Sequence, residues 1–313
     1  MSQAKRTTIA DIARLAGVSP GAVSFALNGR PGVSEQTRQR IIEIAEAHEW
    51  QPSSAARALV GSRAGVVGFA VNRPARTLGT EAFFTDLIAG VQSALAVHGM
   101  ALQLVVVSSI AEEMATYRRW RSANQVDGVI VIDPRDDDPR LSLLPALPLP
   151  AVVIGSQESA GDPPSIWLDD EAAAHALFDY LAALASRNVS GETLVTDFSP
   201  AAATTATRTL LSRAARPTAI VYDNDVMAIA GLRVAQEMGV AVPSALSVAS
   251  FDDSVVTGLV HPSITCLTRD TFALGEQAAV FLLERIGSED PLPSRPGPTP
   301  ALTIRESTSA PTR

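Results

Sequence analysis

The chain has one cysteine, Cys266, and one lysine, Lys5, in 313 residues. A lone thiol excludes an internal disulfide and suits a reducing compartment. No stretch is apolar over a membrane-spanning length, and Asp11 and Arg14 interrupt the only candidate for a charged start followed by an apolar run. The expectation is a cytoplasmic protein with no membrane partner. Histidine is scarce as well: His48, His98, His175 and His261 are scattered without ligand spacing or an evident carboxylate partner. A phosphate-binding glycine loop is missing. The acidic run Asp136, Asp137, Asp138, bounded by prolines, reads as a solvated loop and not as a metal site. Neither a metal nor a cofactor is expected. Gly17-Val18-Ser19-Pro20-Gly21 does satisfy G-x-S-x-G, the nucleophile elbow of hydrolases. That motif requires a strand before the serine, whereas a helical pattern precedes Ser19, so a hydrolase is the weaker reading.

What is present is concentrated between Thr7 and Val60. Thr8 is placed to cap a first helix, with Ile12 and Leu15 as apolar anchors and Ala13 and Ala16 where a second helix can approach closely. Gly17 can take the positive φ of a sharp turn. Ser19 then offers a hydroxyl cap, and Pro20 sits at the first helical position, where its missing N–H costs nothing. In this second helix Val23 and Leu27 point inward, leaving Pro20, Gly21, Ser24 and Phe25 nearer the outer face, the face that a recognition helix lays in a major groove. After the Asn28-Gly29 stop, Ser34 caps a longer helix whose Ile41, Ile44 and Ala45 complete a three-helix core.

Charge divides along the same line. Residues 1–63 carry eight basic side chains against five acids, and the remainder seventeen against twenty-eight. A chain of net charge −8 therefore has a head of +3 and a body of −11. Phosphate contacts need the positive part, although so small an excess is also what an ordinary surface carries.

Beyond Ser62 short β-branched runs alternate with helical stretches. Strands are expected at Val66–Val71, Leu102–Val107, Val129–Ile132 and Val152–Ile154, then at Thr193–Thr196, Ala219–Tyr222 and Leu246–Ser250. Helices are expected near Phe84–His98, Glu112–Ala123, Ala172–Leu184, Pro200–Ala214 and Asp225–Met238. This alternation argues for parallel sheets covered by helices, in two halves that face each other across a ligand cleft. The proline-rich stretch from Pro291 to Pro300 reads as an extended connection.

From Thr8 to Ile41 the chain follows, almost without a gap, the pattern TIxDIAxxAGVSxxxVSxxLNxxxxVSxxTRxxI, and it resembles the LacI family of bacterial transcription regulators. The likeness continues through Trp50, Pro52, Ala56, Arg57 and Leu59, which are similar to the family's hinge helix, and from about Gly65 to Thr308, where PTAIVYDND, VPSALSVASFDD and the terminal RESTS are similar to its sensor domain. The resemblance implies an all-α helix-turn-helix head followed by an α/β periplasmic-binding-protein-like domain of two parallel-sheet lobes. The implied domains are 1–61, with a hinge helix at about 53–60, and 62–313, with a first lobe at about 64–156 and 269–298 and a second at about 158–266 and 300–309. It implies a repressor that binds a pseudo-palindromic, double-stranded operator as a homodimer, modulated by a small molecule, a carbohydrate. Thr8, Ser19, Pro20, Gly21, Ala22, Ser24, Phe25 and Asn28 are the implied DNA contacts, with Arg30 and Arg57 on phosphates and Leu59 as a minor-groove wedge. Asn224 and Asp252 would contact the effector, and Phe198 would stack on it. Plainer roles compete: Asn224 and Asp225 as helix caps, Asp252 as a turn residue, Phe198 as core.

Two departures stand out. Between Tyr180-Leu181 and Glu192 the family normally has a strand, a loop and a helix introduced by an arginine that grips the effector, whereas here Leu184 to Arg187 run straight into Asn188 to Gly191. About 30 residues, the size of a βα repeat, are missing. A reduced second lobe with a weakened or lost effector response is expected. The second departure is Phe25, where many relatives have arginine. Facing outward it offers a thymine methyl apolar contact in place of a fork onto guanine, and facing inward it joins the small core.

Overall fold

The computed structural model describes residues 7–27, 31–48, 50, 63–155, 163–185, 190–288 and 290–310. It divides into two compact units, Met1–Ser62 and Arg63–Arg313.

The small unit holds α1 (Ile9–Ala16), α2 (Pro20–Leu27) and α3 (Glu35–Ala47). Thr8 opens α1 with a reciprocal cap. Its hydroxyl accepts from the Asp11 N–H at 3.3 Å, and the Asp11 carboxylate accepts from the Thr8 N–H at 3.1 Å. Gly17, at φ +67°, ends the helix. The Ser19 hydroxyl accepts from the Ala22 N–H at 3.2 Å and starts α2. Ile12, Ala13, Ala16, Val23, Ala26, Ile41 and Ala45 form the core. Leu15, expected as an anchor, is 45% exposed. At about 100° per residue it falls outside the stripe set by Ile12, Ala13 and Ala16. Arg38 donates to the Ala26 carbonyl at 2.9 Å, which ties α3 to the carboxyl end of α2.

In the large unit the strands are β1 (Val66–Asn72), β2 (Ala101–Val107), β3 (Gly128–Ile132), β4 (Ala151–Ile154), β5 (Ser165–Trp167), β6 (Ala219–Tyr222), β7 (Ser247–Ser250), β8 (Thr265–Thr268), β9 (Arg295–Pro296) and β10 (Ala301–Thr303). The helices are α4 (Ala75–Leu78), α5 (Ala82–Val97), α6 (Ile110–Ser122), α7 (Pro139–Ala146), α8 (Asp170–Ala185), α9 (Pro200–Leu211), α10 (Asp225–Glu237), α11 (Val255–Leu259) and α12 (Thr271–Gly287).

The first sheet runs β2-β1-β3-β4-β5-β9, with every pairing parallel. Its central strands β1, β3 and β4 read as continuous apolar runs because both of their faces are covered. Val67, Phe69 and Val71 of β1 pack under α5 and α12, while Ala70 packs with Tyr117 and Trp120 of α6. The Asp127 carboxylate anchors the start of β1 by accepting from the Ala64, Gly65 and Val66 N–H groups at 2.6, 2.7 and 3.3 Å. Asp138 corrects the reading of the acidic run. Asp136 and Asp137 are exposed, but Asp138 is buried, caps α7 and pairs with Arg140 at 2.6 Å. Arg140 reaches Glu113 of α6 at 2.9 Å as well, so one guanidinium serves two buried carboxylates, and burial pushes the Glu113 carboxyl up.

The second sheet runs β10-β8-β7-β6, parallel except for the antiparallel β10-β8 pair. One face is covered by α9 and α10, the other by α8. The strand expected at Thr193–Thr196 does not form: residues 190–198 have no ladder, and Val195 is 95% exposed. Among the described residues β6 has a neighbour on one side only, so this segment lacks the strand it would have to pair with. The proline-rich stretch holds no helix, and its Arg295 and Pro296 form β9.

Helices α5 and α12 touch backbone to backbone. A Cβ on Gly275 would lie 2.3 Å from the Leu87 carbonyl oxygen, and one on Gly90 would lie 2.0 Å from that of Phe272. Gly275→Ala is expected to destabilise the chain by about 1–3 kcal/mol through overpacking. A fall in the urea midpoint at unchanged slope checks it; an unaltered midpoint contradicts the packing described.

Candidate nucleic-acid interface and cleft between the sheets

On α2, Pro20, Gly21 and Phe25 are exposed, Ala22 and Ser24 are half-buried, and Val23 and Ala26 face the core. Phe25 is 42% exposed and stands outside the apolar cluster, its ring against Gly32, where a Cβ would come within 3.0 Å of it. Of its two readings, the outward one describes its position. Thr8 and Ser19 mark the amino-terminal ends of α1 and α2, where unpaired N–H groups gather. Asn28, Arg30, Arg57, Leu59 and the hinge helix at 53–60 lie outside the described residues.

In the large unit Phe198 and Asn224 come together. The Asn224 side-chain oxygen caps α10 by accepting from the Met227 N–H at 2.9 Å, while its amide nitrogen donates to the Phe198 carbonyl at 3.1 Å and to Glu81 at 3.3 Å. The cap role is therefore real, and the residue also bridges to the other sheet's side. Phe198 has φ +63° and is 37% exposed, so it is not core. Its ring faces the Arg73 guanidinium at 5.1 Å, and Arg73 pairs with Asp133 at 2.6 Å. Burial pushes the Glu81 carboxyl above its ordinary range; Arg73 and Asn224 pull it back.

Asp252 follows β7 in a half-buried turn, where its N–H donates to the Ser250 hydroxyl at 3.2 Å. With Phe83, Asp86, Asp253, Leu267, Arg269 and Thr271 it lines a small cavity. Burial pushes its carboxyl up to about 7. Arg269 opposes the shift, and the charges of Asp225, Glu81 and Asp170 add to it. Next to it, Asp253 is held at about 2 despite its burial, because Arg305 forks onto it at 2.7 and 2.8 Å and the Thr257 and Thr268 hydroxyls donate to it. That fork joins the VPSALSVASFDD and RESTS stretches.

Arg73, Glu81 and Asp133 were not among the residues expected here. Arg73 and Asp133 are the first residues beyond β1 and β3, which are neighbours in the sheet. The carboxyl ends of adjacent parallel strands at a crevice are the signal that finds them.

Three family models match consecutive parts of the chain: bacterial regulatory proteins of the lacI family over residues 8–53, periplasmic binding proteins and sugar binding domain of the LacI family over 64–215, and the periplasmic binding protein-like domain over 167–308. The chain belongs to the LacI family. Among curated relatives, the transcriptional regulator CelR of Thermobifida fusca is 28% identical, covering 98% of this chain and 100% of its own. That alignment runs over 340 residues, against the 313 of this chain. A solved CelR–cellobiose complex is 27% identical with a TM-score of 0.66, covering 96% of this chain and 100% of that one. The Lac repressor dimer bound to operator and an anti-inducer shares the fold, with a TM-score of 0.78 at 22% identity, over 98% of this chain and 100% of that one.

As a LacI-family member the chain is a DNA-binding transcriptional regulator, not an enzyme. Ser19 of the G-x-S-x-G match follows a helix and caps the next one. No helix among the described residues is long and apolar enough to cross a membrane.

A carboxyl raised on folding binds more protons in the folded than in the unfolded chain between about pH 4 and pH 7, so Asp252 makes stability fall as pH rises through that window. Asp252→Asn removes the fall. Its melting temperature is expected to exceed the native value at pH 8 and to converge on it near pH 4; an equal difference at both pH values contradicts the burial assigned to Asp252.

Proposed function

We propose that this chain is a cytoplasmic repressor that binds a pseudo-palindromic operator as a homodimer and reads bases with the outer face of α2. The observation that carries this reading is the α1–α2 pair itself: two capped helices around Gly17, with Pro20, Gly21 and Phe25 turned to solvent in the part of the chain that is net positive. Thr8, Ser19, Pro20, Gly21, Ala22, Ser24, Phe25 and Asn28 would contact DNA, Arg30 and Arg57 would meet phosphates, and Leu59 would enter the minor groove. The head would comprise residues 1–61. Twofold symmetry doubles the few contacts one head can make. Exposed Val255, Val256 and Leu259 on α11 offer an apolar patch for the partner chain.

The body would hold a carbohydrate-class effector between lobes at about 64–156 with 269–298 and 158–266 with 300–309, through Phe198, Asn224 and Asp252. A second reading, a regulator whose effector response is weakened or lost, is favoured by specific observations. Residues 190–198 form no ladder, β6 has a neighbour on one side only among the described residues, and the chain is 27 residues shorter than the 340 over which it aligns with CelR. A missing strand and helix before Glu192, with the arginine that the resemblance puts there, would account for all three.

Footprinting on the promoter region of the chain's own gene is expected to show a protected inverted repeat whose affinity falls about a thousandfold or more between 50 and 200 mM salt. Cellobiose is expected to change that affinity little. Phe25→Ala is expected to lose a thymine preference at one half-site position. A strong guanine requirement lost in the same variant contradicts the role given to Phe25, and binding insensitive to salt contradicts the reading as a whole.

A further inference from the structure

Phe198 and Asn224, the second-lobe residues assigned above to the effector, already carry partners from the first lobe. The Arg73 guanidinium lies between a ring of each lobe, 5.1 Å from the Phe198 centroid and 5.7 Å from that of Phe84. Asp133 holds it from its own lobe at 2.6 Å, which fixes the plane and balances the charge. Its Nε is buried without a hydrogen-bond partner and its Nη1 donates to the Asn72 carbonyl at 3.3 Å, so the two rings, that carbonyl and one carboxylate set its place. Beside it, both hydrogens of the Asn224 amide nitrogen are engaged, one by the Phe198 carbonyl and one by Glu81, which is 6% exposed. The amide that would offer donors to a hydroxylated ligand has none left, and the ring that would cover an apolar sugar face already meets a guanidinium.

We propose that Arg73, assisted by Glu81, is a built-in latch that holds the two lobes together without ligand, with its guanidinium on the face of Phe198 that an effector would take. The inference rests on the reading of this cleft as the effector site and extends it. A ligand entering here must displace a charged side chain of the chain itself. The balance between open and closed lobes is thereby set internally, and a ligand that binds both states equally shifts nothing. The latch also accounts for a regulator that keeps its cleft while lacking the arginine-bearing segment: a guanidinium arrives from the opposite lobe.

The test places spin labels at Val97→Cys and Thr209→Cys, exposed positions on α5 and α9, in full-length chain diluted with excess unlabelled chain. Cys266 is buried and stays unlabelled. Pulsed electron resonance on the otherwise native protein is expected to give one narrow distance distribution that millimolar cellobiose does not move. Arg73→Ala is expected to broaden and lengthen it, Arg73→Lys to give an intermediate, and Phe198→Ala to reproduce the alanine effect from the other lobe. Should Arg73→Ala not fold, Phe198→Ala decides alone. An unchanged distribution in the folded variants overturns the latch. Operator affinity separates the two claims. Native chain that binds no operator sinks the functional reading while the distances still decide the latch, and a shifted distribution in Arg73→Ala upholds the latch whether or not operator affinity follows.

Discussion

A strand exists in a sheet only where its N–H and C=O groups find a neighbour, and this requirement shapes the body of the chain more than any single side chain does. The first sheet meets it with six strands, of which the central β1, β3 and β4 are apolar and covered by helices on both faces. The second meets it with four, and its β6 edge has no partner on the far side among the described residues. Residues 190–198 carry a strand's composition and stay outside the sheet, so Val195 remains in water. The helix that follows, α9, still packs on α10, and Tyr222 at the end of β6 sits beneath that pair, with its hydroxyl 2.7 Å from Thr207.

The cleft takes its character from the same constraint. Asn224 begins α10 directly after the edge strand, and Phe198 ends the unpaired segment, at φ +63°. Both sit where the strand ends of one lobe face those of the other, so Arg73 and Glu81 reach them across the gap. Positive charge enters from the first lobe at Arg73 and from Arg269 near Asp252, against Glu81, Asp133, Asp225 and Asp252.

The head was legible because its boundaries are local chemistry. Thr8, Gly17, Ser19, Pro20 and Ser34 each act on the backbone within a few residues, and the structure places helix ends at those points. The first sheet was legible for a related reason, since strands buried on both faces must be apolar throughout. Thr193–Thr196 was not: β-branched composition tells what a strand prefers and nothing of whether a neighbour exists. Asp138 looked like its exposed neighbours because burial of one acid depends on Arg140 and Glu113, the latter 25 residues upstream in sequence. Arg73 was overlooked because its partners, Asp133 and Phe198, come from another strand end and another lobe. Leu15 misled through a spacing that fits a helix face whose centre lies elsewhere.

These parts fit together if the amino-terminal unit reads a groove and the acidic body biases it. Selection from a pool of random duplexes, using the full chain at low ionic strength, tests that most directly. Enrichment of an inverted repeat with a fixed half-site is the predicted result; a recovered pool indistinguishable from the starting one would contradict it.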